Sequence, residues 1–139
     1  MKKTILAIML LAPLFAASVT LAHSGHGQNP GDIRVTHGGS ALAGENTHLE
    51  YKISGSTLEI YPIPHDDKVK LTPESVTFKA MATPKPGNNP AYELKFERFN
   101  EGYKAPIDFK NGSRVEVKVT STYEGKTETF KKPIQVEKK

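Results

Sequence analysis

The strongest constraint on this chain is a period-two alternation of apolar and polar residues that recurs over its last hundred or so positions. Leu49, Tyr51 and Ile53 alternate with His48, Glu50 and Lys52. Val76, Phe78 and Ala80 alternate with Thr77 and Lys79, and Tyr92, Leu94 and Phe96 with Glu93 and Lys95. Val115, Val117 and Val119 alternate with Glu116, Lys118 and Thr120. Successive side chains on a β-strand point to opposite faces, so each run reads as a strand with one apolar and one polar face. Gly55 marks a turn between Ile53 and the pair Leu58 and Ile60, which predicts a hairpin. Asp32–Val35 reads as a short strand ending near His37, and Thr127–Val136 as the last one, carrying Phe130, Ile134 and Val136. No segment after residue 22 has a convincing helical period.

Short strands with one polar face predict an all-β fold, an antiparallel immunoglobulin-like β-sandwich of about seven strands over residues 32–139. Apolar faces closing on each other supply the driving force, about 25 cal/mol per Å² removed from water. With no tryptophan and no cysteine, the chain lacks the buried Trp and the disulfide of antibody-type domains. Two connections stand out. Thr83–Pro90 (TPKPGNNP) reads as a long loop, and Pro62–Lys68 (PIPHDDK) as a turn carrying His65, Asp66 and Asp67.

The first residues follow a different logic. Lys2 and Lys3 precede an apolar run from Ile5 to Ala17, and Ser18–Ala22 supplies small residues, with Thr20 and Ala22 at the −3 and −1 positions. This is the layout of a secretory signal peptide over residues 1–22, cleaved after Ala22. The alternative is an uncleaved anchor, which needs about 20 apolar residues; the polar tail Ser18-Val19-Thr20 fits cleavage better. With no cysteine after the apolar run, a lipoprotein is excluded. Cleavage leaves 117 residues, one domain's worth. It also removes Lys2 and Lys3, leaving 17 basic against 15 acidic residues. The lysines are interleaved with glutamates, so no nucleic-acid footprint is present. The expected location is the periplasm, as a soluble chain with no stable membrane anchor.

Cleavage would make His23 the N-terminal residue, with an imidazole and an α-amine on one residue and His26 three positions on. Residues 23–31 (HSGHGQNPG) read as a flexible His/Gly tail. Histidine-bearing tracts of this kind are read as metal-binding on composition, and imidazole beside an amine suits Cu(II), Ni(II) and Zn(II). Thiolate sites are excluded, and Met81 is the only methionine after the leader, so a methionine-rich Cu(I) site is excluded too. His37, followed by Gly38 and Gly39, is either a third ligand or an exposed histidine in a strand-ending turn. His48 and Glu50, two apart on a strand, are either a His/carboxylate ligand pair or two groups on a solvent-facing polar face. His65-Asp66-Asp67 is read as a structural turn, since Asp bonds its local backbone. No GxSxG, HExxH, P-loop or GxGxxG motif occurs, so no enzyme is expected.

His37-Gly38-Gly39, a short linker, then Glu50-Tyr51-Lys52 leading into Leu58-Glu59-Ile60-Tyr61, resembles a stretch in small periplasmic proteins associated with heavy-metal efflux. A similar stretch occurs in some adaptor subunits of tripartite metal-efflux pumps. Tyr51 stands here where that group has an aliphatic residue. The resemblance implies His23, His26 and His37 as metal ligands and metal-efflux components as partners. The expected function is a non-enzymatic protein that binds a divalent metal, Cu(II) leading with Zn(II) and Ni(II) open, and buffers it or hands it to an efflux system, with candidate ligands His23, His26, His37, His48 and Glu50. The competing expectation is an exported protein–protein interaction module with no metal role.

Overall fold

A computed structural model describes residues 32–139. The leader, the cleavage position and the tail histidines His23 and His26 lie outside the described residues. The described chain forms ten strands: β1 (Ser40–Leu42), β2 (His48–Ser54), β3 (Thr57–Ile63), β4 (Val76–Lys85), β5 (Tyr92–Glu93), β6 (Glu97–Phe99), β7 (Gly102–Pro106), β8 (Arg114–Tyr123), β9 (Lys126–Thr129) and β10 (Ile134–Glu137). They make two antiparallel five-stranded sheets. The first runs β1-β2-β3-β7-β6; the second runs β10-β8-β4-β5, with β9 also on β8. Leu42, Leu49, Leu58, Ile60 and Ala105 of the first sheet meet Ala80, Ala82, Val115, Val117, Val119, Ile134 and Val136 of the second in one buried core. Each fully buried Val, Leu or Ile contributes about 1.5–3 kcal/mol relative to exposure. This is the antiparallel two-layer sandwich expected from the alternation.

Four boundaries differ from expectation, each for a tertiary reason. Residues 32–35 form no strand, though Ile33 among them is buried. Thr83, Pro84 and Lys85 extend β4, because Thr83 pairs with Glu116 and Lys85 with Arg114. The run Tyr92–Phe96 is not one strand. Tyr92–Glu93 belongs to the second sheet and Glu97–Phe99 to the first, and Leu94 is buried while the chain crosses between them. Alternation persists through the crossing because both apolar side chains, Leu94 and Phe96, turn inward. Finally, Thr127–Val136 is two strands on the same neighbour. β9 pairs with the end of β8 and β10 with its start. Pro133, which has no N–H to give the ladder, lies in the break. Losing the strand at 32–35, splitting these two runs and adding β1 and β7, which the alternation did not single out, bring the count from about seven to ten.

No helix among the described residues is long and apolar enough to cross a membrane.

Candidate functional site

The site grows from the outer face of β2 and β3. Leu49, Leu58 and Ile60 face the core, so Glu50, Glu59 and Tyr61 take the opposite face, with Glu50 directly across from Tyr61. This face was expected to meet solvent. Instead Glu50 is 0% exposed, held under the segment leading into β1, and His48 is 1% exposed, packed against Gly44 and the His65 ring.

Glu50 is what holds that segment. Its carboxylate accepts the backbone N–H of Thr36 at 3.0 Å, of His37 at 2.9 Å and of Gly39 at 2.7 Å. It also accepts the His37 Nδ1–H at 3.0 Å. Successive amides converging on one anion form a nest. Burial pushes the Glu50 carboxyl up, but the amides of Thr36 and Gly39, the His37 ring and the His37 amide outweigh it and hold the group below its ordinary value. An ionised carboxylate is acceptor-only, so every donor in the nest is matched.

The two glycines of His37-Gly38-Gly39 have separate jobs here. Gly38 turns the chain at φ +75, a conformation that side chains with a Cβ disfavour. Gly39 permits contact: a Cβ there would lie 2.2 Å from the Tyr51 carbonyl oxygen. Without that close approach the Gly39 amide could not reach Glu50.

His37 is thereby fixed in plane and in tautomer. Its ring stacks on Tyr61, with centroids 3.6 Å apart and 4° between planes. Its Nε2 lies 3.2 Å from a Glu101 carboxylate oxygen, and the side chain is 25% exposed. The Tyr61 hydroxyl donates to Glu59 at 2.8 Å. Burial, the Glu59 hydrogen bond and charge, and then the charges of Glu50 and Glu101, push the Tyr61 hydroxyl up to about 12. Three carboxylates thus stand around Tyr61, with Lys52 and Lys104 directly across from Glu59 on the neighbouring strands.

His48 belongs to a different cluster. Its Nδ1 accepts the Gly44 N–H at 3.2 Å, while the His65 Nε2–H donates to the Gly44 carbonyl at 2.7 Å. The two rings pack with centroids 4.0 Å apart. Burial first, then the positive charge available to His65, push His48 down to about 4, against a smaller upward pull from Glu128. Beside them the Glu128 carboxylate of β9 accepts the amides of Glu45 at 2.6 Å and Thr47 at 3.0 Å. It is a second nest, holding the loop between β1 and β2. His65, read from the sequence as part of a structural turn, packs on His48 and bonds the Gly44 carbonyl.

The structure therefore brings His37 and Glu50 together and separates His48 from them. Glu50 lies beneath the imidazole as its hydrogen-bond acceptor. Among the described residues no group of three or more His, Cys, Asp or Glu side chains that could hold a metal ion occurs. Sequence reading missed Glu101, Tyr61 and Glu128. Asn100 and Gly102 flank Glu101 and signal a turn, but nothing local relates that turn to His37. No protein-family model, curated protein or solved structure matches the chain.

Proposed function

We propose that the protein is exported to the periplasm and binds a divalent metal ion, with Cu(II) the leading candidate and Zn(II) or Ni(II) the alternatives, to buffer it or pass it to an efflux system. One observation carries this reading: the buried Glu50 carboxylate takes the Nδ1–H of His37, so in the neutral imidazole the Nε2 lone pair points outward. Metal-binding histidines are characteristically oriented in this way, with the second nitrogen donating to a carboxylate that fixes the tautomer and raises ligand basicity. His23 and His26 complete the donor set, on a tail that enters the described domain at Asp32, five residues before His37. All-nitrogen donors favour Cu(II) over its first-row neighbours. His48 and Glu50 leave the ligand list, His48 because its Nδ1 serves Gly44 and Glu50 because it serves the loop.

Two measurements test the reading. Intact mass of the periplasmic form is expected to give the 117-residue chain beginning at His23. Calorimetry with Cu(II) is expected to show binding that weakens on deleting residues 23–27 and on His37→Ala. Affinity is also expected to fall as pH drops below about 6, because imidazoles must lose protons to bind metal. Equal affinity in all three chains would leave the interaction module in place of metal binding.

A further inference from the structure

We propose that the loop between β1 and β2 is an acid-released latch: a proton on His48 takes away the acceptor that pins Gly44, and residues 43–47 lift from the end of the sandwich while both sheets stay paired. The inference is independent of the metal-binding reading, and every group it invokes lies among the described residues.

The first argument is how the loop is pinned. Two histidines bracket one residue. The Gly44 N–H donates to His48 Nδ1 at 3.2 Å, and the Gly44 carbonyl accepts the His65 Nε2–H at 2.7 Å. A carbonyl only accepts, so Nε2 of His65 carries its proton; an amide N–H only donates, so Nδ1 of His48 carries none. A proton arriving at that Nδ1 sets donor against donor, and the Gly44 bond is lost. The two rings pack with centroids 4.0 Å apart, so positive charge on His65 adds to the repulsion.

The second argument is what else holds the loop. Ala43, Gly44, Glu45, Asn46 and Thr47 bring little apolar surface. The loop therefore rests on polar contacts, and segments held in that way open at lower cost than a packed core. Glu128 of β9 accepts the amides of Glu45, Asn46 and Thr47, and the Thr47 hydroxyl meets that of Ser121 at 3.3 Å. Gly44 is the tight point: a Cβ there would lie 2.6 Å from a Glu128 oxygen and 2.9 Å from the Phe130 ring. Gly44 thus lies against Phe130, which is 3% exposed, and its release opens that end of the core to water.

The third argument is the surroundings of His48. His65 faces it from the turn after β3 and Glu128 from β9, and the pull of Glu128 is the smaller. Asp32 and Arg34 of the segment before β1, with Asp66, Asp67 and Lys68 of the turn after β3, line the same groove as the two rings and carry charge of both signs. Glu50, two positions along β2, is engaged by the amides of the other nest. Burial is the leading cause that keeps His48 neutral down to about 4. With the loop lifted the ring meets water and returns towards its ordinary 6.5. Between those values the open form binds a proton that the closed form does not, so acid favours opening.

The test is amide exchange in the protein with EDTA present, read residue by residue by NMR and corrected for intrinsic rates, at pH 7.5 and at pH 5, above the usual carboxylate range. With His48 at about 4 closed and 6.5 open, the opening equilibrium is expected to rise about 25-fold between those two conditions. Protection at Glu45, Asn46 and Thr47 is expected to fall by that factor and to stay below that of the β4–β8 ladder throughout. Low urea separates local from global opening: lifting the loop exposes little surface, so its exchange is expected to be insensitive to urea while that of the ladder rises. His48→Asn offers a side-chain oxygen to the Gly44 N–H and takes up no proton, and is expected to abolish the response. Should that variant misfold, His65→Gln, at an exposed position, keeps a donor for the Gly44 carbonyl and removes the neighbouring charge. It is expected to shrink the response. Loop protection that is equal at the two pH values overturns the latch. Loop and ladder amides that share one protection and one urea dependence at pH 5 also overturn it, because the proton then unfolds the whole domain. A full response in both variants assigns the effect to another group and removes His48 as the trigger.

Discussion

Glu50 gathers the backbone amides of Thr36, His37 and Gly39 and the His37 ring on one buried carboxylate. Replacing it with glutamine puts an NH₂ where the nest offers only donors. Glu50→Gln is expected to cost about 2–4 kcal/mol in urea denaturation, from unmatched buried donors and the lost charge. The two glycines allow a sharper contrast. Gly38→Ala has space around it and bears only the strain of its positive φ, about 1–2 kcal/mol. Gly39→Ala drives a methyl into the Tyr51 carbonyl, and is expected to cost more, about 3 kcal/mol. Equal losses would mean that the segment does not lie against β2.

His48 predicts an acid response. Its folded pKa of about 4 lies below the ordinary 6.5. Between those values the unfolded chain holds a proton that the native chain does not, so stability rises with pH across that window and is lost on acidification. The difference amounts to roughly 3 kcal/mol. Glu50 acts at lower pH with the same sign: its folded pKa is depressed, so its contribution is present above its ordinary 4.5 and is lost as pH falls through the folded value. Denaturation curves between pH 7 and pH 4 are expected to show falling stability, and His48→Gln to flatten that slope. His65→Ala is expected to raise the His48 titration observed by NMR, because the neighbouring positive charge is removed.

At the scale of elements, the two carboxylate nests explain how irregular segments are kept on a sandwich. Glu50 of β2 holds the segment before β1, and Glu128 of β9 holds the loop after it. The Glu128 nest ties the two sheets together, since β9 belongs to the second and the loop leads into β2 of the first. Glu128→Ala is expected to cost about 2 kcal/mol, read by urea denaturation. It is also expected to speed amide exchange at Glu45, Asn46 and Thr47 while leaving the β4–β8 ladder protected. Fast exchange throughout would mean that the loop is part of the folding core. The hairpin β2–β3 was legible from Leu49, Tyr51, Ile53 and Gly55 because strand and turn signals are local. The crossing at Leu94 was not, since an inward-turning crossover keeps the same alternation as a strand.

For the whole molecule, the core is apolar and closed by both sheets without any donor set for a metal among its residues. Chelation by EDTA is therefore expected to leave the far-ultraviolet circular dichroism unchanged, while metal addition raises the melting temperature by mass action on the native state. Loss of β signal on chelation would make the metal structural and would overturn the separation of tail and sandwich.

What the sequence determined by itself was the rhythm of the fold. Period-two alternation is a property of neighbouring residues, and it required strands, one apolar face for each and therefore two packed sheets. It also singled out His37-Gly38-Gly39 and Glu50 as residues to examine, though not their relation. Only the tertiary structure decided that the polar face carrying His48 and Glu50 is covered and that Glu50 supports His37. It alone sent His48 to Gly44 and His65, and set Glu101, 64 positions away, beside the His37 ring. The physical reason is that burial and hydrogen-bond partnership depend on which segment crosses which face. An imidazole's tautomer is set by whatever lies against it in space, and no local pattern in the chain encodes that neighbour.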